Sequence, residues 1–213
     1  MTTVLVVAPH PDDETLGCGG TLLRHLAAGD AVHWLVLAAL PEAEDPAIFA
    51  EVASAYGFAG VHRLELPDAR LDTVPLADLI ARIGAVVQRV APTVVYLPYR
   101  GDAHTDHRVA FDAAAACTKS FRYPSVRRVL AYETPSETDF GLDPDSRGFR
   151  PNVFLDITAQ LERKLEIVRL YARELGAHPF PRNETALRAL AVLHGTVAGC
   201  PAAEAFMLLR EIL

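Results

Sequence analysis

Short runs of β-branched and aliphatic residues alternate along this chain with longer stretches whose apolar positions recur every three or four residues. The first run, Val4-Leu5-Val6-Val7-Ala8, is apolar throughout, which is the pattern of a strand covered on both faces. Thr15 to Ala28 then reads as a helix, with Leu16, Leu22, Leu23 and Leu26 near one face and Gly29-Asp30 as its stop. Val32–Leu37, Val61–Leu66, Val94–Leu97 and Val129–Tyr132 repeat the strand pattern. Ile48–Tyr56, Leu76–Val90 and a segment from about His107 to Ser120 repeat the helical one. Val153–Ile157 fits an edge strand, and helices are expected at Gln160–Leu175, Glu184–Val197 and Ala202–Ile212. Strands alternating with helices of this length imply right-handed βαβ units. The expected fold is therefore a Rossmann-like α/β domain, with a doubly wound, mostly parallel sheet flanked by helices. No repeat or linker composition divides residues 1–213, so a single domain is expected.

Composition narrows the function classes. The 213 residues carry a formal net charge of −7, which argues against a nucleic-acid partner, since that binding is built on excess Lys and Arg. Three widely spaced cysteines, with no CxxC, read as small buried hydrophobes rather than a disulfide framework or a thiolate zinc site. The apolar start lacks a basic leader and soon meets acids, and no run reaches the roughly 20 apolar residues of a membrane span. These features lead to the expectation of a cytoplasmic protein without stable membrane insertion. They leave eight histidines to be placed.

Two clusters place three of them. His10-Pro11-Asp12-Asp13-Glu14 follows the first strand directly, and His104-Thr105-Asp106-His107 lies in the loop after the fourth. A helix N-cap with favourable acids in the first turn would account for one or two of the carboxylates. It gives His10 and the second Asp no purpose. In a doubly wound sheet, strands 1 and 4 are neighbours where the strand order reverses, and the crevice at their carboxyl ends is the usual ligand site. Two unrelated decorations would rarely fall on those two strand ends. Two imidazoles and one carboxylate suit Zn²⁺ and leave a position open for water, as in catalytic rather than structural sites. Zinc lowers the pKa of such a water towards ~7, and a carboxylate not spent on the metal can take its proton. One Asp of the pair would ligate and the other would act as base. The spare imidazole can polarise a carbonyl or stabilise an oxyanion, with a carboxylate such as Asp106 fixing its tautomer.

Ala8-Pro9-His10-Pro11-Asp12-Asp13-Glu14 with the later His-x-Asp-His resembles the PIG-L-type (LmbE-like) family of zinc-dependent N-acetylglucosaminyl deacetylases. Thr105 stands where the family usually has Pro, at a position that carries no ligand. Leu66-Pro67-Asp68-Ala69-Arg70-Leu71, Pro151–Ile157 and Ala203-Glu204-Ala205-Phe206 resemble further family segments, so the likeness covers most of the chain. The resemblance implies that His10, Asp13 and His107 hold one zinc, with other divalent metals possible. It assigns Asp12 as general base and His104 as the group that protonates or polarises the reacting amide. Asp106 would orient His104, and Arg70 would contact a small amino-sugar substrate. Glu14 reads as a support or a helix-start acid. A homo-oligomer is compatible with the sequence.

Two other readings compete. His10, Asp12 and a distant His would also fit the two-His-one-carboxylate triad of a non-haem iron oxygenase, although those favour β-rich folds. A non-catalytic metal-binding domain would explain the ligands but not the extra Asp12 and His104. Gly17-Cys18-Gly19-Gly20 lacks phosphate-loop spacing and reads as close helix–sheet packing. Arg100 and Arg108 could meet an anionic group, and Arg122, Arg127 and Arg128 read as a solvated face. His25, His33 and His62 read as ordinary, and Trp34 as core. His178 and His194 lie where loops could reach back to the crevice. The polar stretch Ser136–Pro151 reads as a long surface loop.

Overall fold

The computed structural model describes residues 1–39, 47–142 and 148–213. Residues 143–147 of the expected Ser136–Pro151 loop lie outside them. β1 (Thr3–Ala8), α1 (Asp13–Ala27), β2 (Ala31–Ala38), α2 (Ile48–Tyr56) and β3 (Gly60–Leu66) open the chain. α3 (Leu76–Val90), β4 (Val94–Pro98), α4 (Thr105–Ala116) and β5 (Arg128–Tyr132) continue the alternation. β6 (Val153–Asp156), α5 (Leu161–Val168), α6 (Glu184–Ala198) and β7 (Ala203–Glu211) complete it. The expected helix Gln160–Leu175 is α5 followed by a 3₁₀ turn, Arg169–Glu174.

The seven strands form one sheet in the order β3-β2-β1-β4-β5-β7-β6. The pairings among β3, β2, β1, β4 and β5 are parallel, while β7 runs antiparallel to both β5 and β6. Alternation along β1 explains its unbroken apolar run. Leu5 and Val7 face a core shared with Leu79 and Ile83 of α3 and Ala110 and Ala113 of α4. Val4, Val6 and Ala8 face the opposite core with Leu22 of α1 and Phe49 and Val52 of α2, where Trp34 also sits. Both faces are covered, as a doubly wound sheet requires. Among the described residues no helix is long and apolar enough to cross a membrane.

The expected helix at Ala202–Ile212 is instead β7. Its Ala, Glu, Met and Leu residues are good helix formers, but tertiary pairing decides. The segment fills the gap between β5 and β6, buries Phe206, and sinks Glu204 against the middle of α1, just past the kink at Cys18. There Glu204 accepts hydrogen bonds from the Gly20 and Thr21 amides (2.8 and 2.7 Å) and from Lys164 Nζ (2.7 Å).

β1 and β4 pair directly, with Val4 opposite Val94 and Val6 opposite Tyr96. Being parallel, they end at the same edge of the sheet. The His10–Glu14 and His104–His107 clusters both lie at that edge.

Candidate active site

The turn after β1 carries His10, Asp12 and Asp13, and the first turn of α4 carries Asp106 and His107 with His104 at its N-cap. Asp13 and His107 are fully buried. Asp13 Oδ2 lies 3.4 Å from His10 Nδ1 and 3.3 Å from His107 Nε2. Asp13 Oδ1 and His107 Nε2 are buried without any hydrogen-bond partner. An orphaned buried polar atom costs roughly 1–3 kcal/mol, so two of them converging indicate a missing group between them. His10, Asp13 and His107 offer donor atoms all within 4.8 Å of one another, and two imidazoles plus a carboxylate fit a zinc-type cation. Donor atoms of His10, His104 and Asp106 also lie within 4.8 Å of one another. There, however, both Asp106 oxygens already accept hydrogen bonds, from His10 Nε2 (3.1 Å) and the Leu71 amide (2.9 Å).

Each imidazole of the first set is held from behind by a carboxylate. Asp106 takes Nε2 of His10, and Asp102 takes Nδ1 of His107 at 2.7 Å. Asp102 is itself fixed by the Thr138 hydroxyl at 2.6 Å. The Asp106 carboxylate, expected beside the His104 ring, contacts His10 and the Leu71 amide, while His104 Nδ1 accepts the Asp106 backbone amide (3.1 Å). Burial alone would lower the His10 and His107 imidazoles. For His10 the neighbouring Asp106 and Asp13 carboxylates carry the pKa up to about 10. For His107, Asp13 and Asp102 carry it up to about 9. Burial would raise Asp13, but the charges and contacts of His107 and His10 hold it well below the usual carboxylate range.

Asp12 is held differently. Its Oδ2 accepts from Arg182 Nη1 at 2.9 Å, and its backbone amide donates to the buried carboxylate of Glu14. Burial and the charge of Asp13 push its carboxyl up, and Arg182 opposes them. Burial also raises Glu14, to about 7. Arg182 bonds the Ser136 hydroxyl, Glu137 and Glu174 as well, tying the loop after β5 to the loop before α6. Burial and the His10 and His107 charges lower His104, which favours its neutral form. Since Nδ1 accepts the Asp106 amide, the proton of that neutral ring sits on Nε2.

Asp102 and Arg182 escaped the sequence reading. Asp102 lies five residues before His107, outside both clusters. Arg182 comes from the far end of the chain with no local signature. Arg70 is exposed, beside the Leu71 amide that bonds Asp106, and Asp68 Oδ1 lies 3.5 Å from His10 Nε2. Arg100 pairs with Asp112. His178 is exposed, while His194 pairs with Glu133. His25, His33 and His62 take part in other contacts, with Asp30 and Tyr96 or with one another. The glycines act in packing: a Cβ on Gly17 would lie 2.3 Å from the Tyr132 ring, and one on Gly20 2.8 Å from Ile157.

Residues 5–118 match the family described as GlcNAc-PI de-N-acetylase, PIG-L, a span that holds both clusters and more than half of the chain. The chain belongs to the PIG-L family. Among its relatives is the diacetylchitobiose deacetylase of Thermococcus kodakarensis, 29% identical over 224 residues, covering 92% of this chain and 79% of that one. A conserved protein of Thermus thermophilus has a similar structure, with a TM-score of 0.82 and 28% identity over 100% of this chain and 97% of the other. The 4-carboxy-2-hydroxymuconate hydratase of Pseudomonas putida shares the fold at a TM-score of 0.77, with 19% identity, over 100% and 98% of the two chains. A shared fold alone therefore does not fix the chemistry of a PIG-L domain.

Proposed function

We propose that the protein is a metal-dependent hydrolase that removes the N-acetyl group from an N-acetylglucosamine-type sugar or its conjugate. The observation that carries this reading is the division of labour between two adjacent carboxylates. Asp13 faces two imidazoles and keeps an unpartnered oxygen, whereas Asp12 points to Arg182. Family membership and the diacetylchitobiose deacetylase relative supply the substrate class.

His10, Asp13 and His107 would hold one zinc per chain. Bound there, zinc supplies a Lewis acid that polarises the amide carbonyl and acidifies an attacking water. Asp12 takes the proton of that water as it adds to the acetyl carbon. Arg182 occupies Oδ2 of Asp12, which leaves Oδ1 for the proton and keeps the carboxylate turned to the substrate. The Nε2–H of His104 donates to the oxygen on which negative charge develops. The C–N bond then breaks, Asp12 returns its proton to the leaving nitrogen, and acetate and a free amine result. Arg70 and Asp68, exposed at the rim, would contact the sugar. The alternation of strands with helices around a mostly parallel sheet does not favour the oxygenase reading, which belongs with all-β folds.

The reading is tested by incubating zinc-loaded protein with N-acetylglucosamine, N,N′-diacetylchitobiose and lipid-, thiol- and nucleotide-linked N-acetylglucosamine, and measuring acetate. Release from at least one of them is expected. No acetate from any substrate, with zinc bound, would contradict it.

A further inference from the structure

Asp12 has backbone angles of φ 119° and ψ −31°. This lies well away from the left-handed region that Asn and Asp visit in turns, a strained conformation that persists only where its surroundings impose it. Its carbonyl accepts the amides of Thr15 (2.9 Å) and Leu16 (2.8 Å), as the start of any helix would allow. Its amide is different: it donates to Glu14 Oε2 at 3.2 Å.

Glu14 is fully buried. A carboxylate present only for helix-start electrostatics would gain from facing water and needs no partners. This one is locked instead. Oε1 accepts the Thr15 hydroxyl (2.5 Å) and the Tyr171 hydroxyl (2.7 Å), and Thr15 Oγ1 in turn accepts Tyr56 (3.0 Å). Tyr56 ends α2 and Tyr171 lies in the 3₁₀ turn after α5, so three separate parts of the chain hold this carboxylate, Tyr56 through Thr15.

We infer that Glu14 is a positioning residue for the general base: its fixed carboxylate holds the Asp12 backbone in this conformation and so aims the Asp12 side chain across the crevice. The inference rests on the reading of Asp12 as the base. The backbone direction at Asp12 sets where its Cβ points, and a misplacement of about 1 Å at a reacting group can cost on the order of 100-fold in rate. Glu14→Gln keeps a carbonyl oxygen for the Asp12 amide, while its NH₂ can donate to the Thr15 and Tyr171 oxygens. Glu14→Ala removes the acceptor.

The test compares crystal structures, zinc content and acetate-release kinetics of wild type, E14A and E14Q. In E14A the φ of Asp12 should leave the positive range. Its kcat should fall by about 100-fold, with zinc content unchanged and KM within about 3-fold. E14Q should keep the wild-type φ and a kcat within about 5-fold of wild type. An E14A structure with Asp12 unmoved would overturn the inference, as would E14Q losing as much rate as E14A, or a loss that follows zinc content instead of kcat. Should E14A not fold, Tyr171→Phe decides: it removes one of the two hydroxyl donors to Glu14 and should lower kcat by about 10-fold with zinc retained. Wild-type kcat in that variant would count against the inference. If the wild-type chain releases no acetate, the deacetylase reading fails, and the Asp12 φ in the two Glu14 variants still decides this one.

Discussion

Asp12 and Asp13 are neighbours in sequence with opposite surroundings, and that difference generates two predictions at the level of single residues. Asp12→Asn keeps the shape of the side chain but cannot accept a proton, so kcat should fall by at least about 100-fold while zinc content stays at the wild-type level. Full activity in that variant would remove Asp12 from its role. The second prediction concerns the ligands. Without metal, carboxylate neighbours hold the His10 and His107 imidazoles protonated, up to about pH 10 and 9 respectively. A metal needs the neutral rings, so zinc binding at pH 7.5 should release about two protons, and apparent affinity should rise with pH up to that range. Calorimetry in buffers of different ionisation enthalpy measures the proton count; none released would contradict the arrangement. The ligands were legible in the sequence because they cluster within a few residues just after two strands. Asp102 and Arg182 were not, because a carboxylate inside a turn and a lone Arg at the far end of the chain acquire meaning only through the contacts that folding brings.

At the scale of elements, the site exists because β1 and β4 lie side by side and end together. That adjacency was legible: buried parallel strands are continuous apolar runs, and their alternation with amphipathic helices leaves few ways to order the sheet. β7 was not legible. Its Ala-Glu-Ala-Phe-Met-Leu-Leu sequence has helical preference, and only the open place beside β5 and the buried Glu204–Lys164 pair make it a strand. α1 must also approach the sheet closely to carry Asp13 into the crevice. Gly17 permits this, since a Cβ there would lie 2.3 Å from the Tyr132 ring and 2.8 Å from the Glu133 carbonyl oxygen. Tyr132 cannot easily yield, because its hydroxyl donates to the Val7 carbonyl from within the core (2.8 Å). Gly17→Ala should therefore destabilise the protein by about 1–3 kcal/mol in a denaturant or thermal melt. Unchanged stability would mean that the helix and strand have room to separate.

Across the whole molecule, the formal charge of −7 acquires a location. Asp12, Asp13, Asp68, Asp102, Asp106, Glu137 and Glu174 all lie in or around the crevice, directly or through the Arg182 cluster. A surround of this sign suits a bound divalent cation and an amine product. The fold itself is compatible with more than one reaction, since a hydratase shares it. The measurement that bears most directly on the central claim is therefore one that reads both the bond broken and the metal needed. Acetate and free amine would be quantified together from the best N-acetylglucosamine conjugate, using zinc-loaded protein, the same protein after chelation, and the chelated protein with zinc restored. Equal amounts of acetate and amine, lost on chelation and recovered with zinc, are the predicted result. Acetate release indifferent to chelation, or none from any N-acetyl sugar by the zinc-loaded protein, would contradict the account.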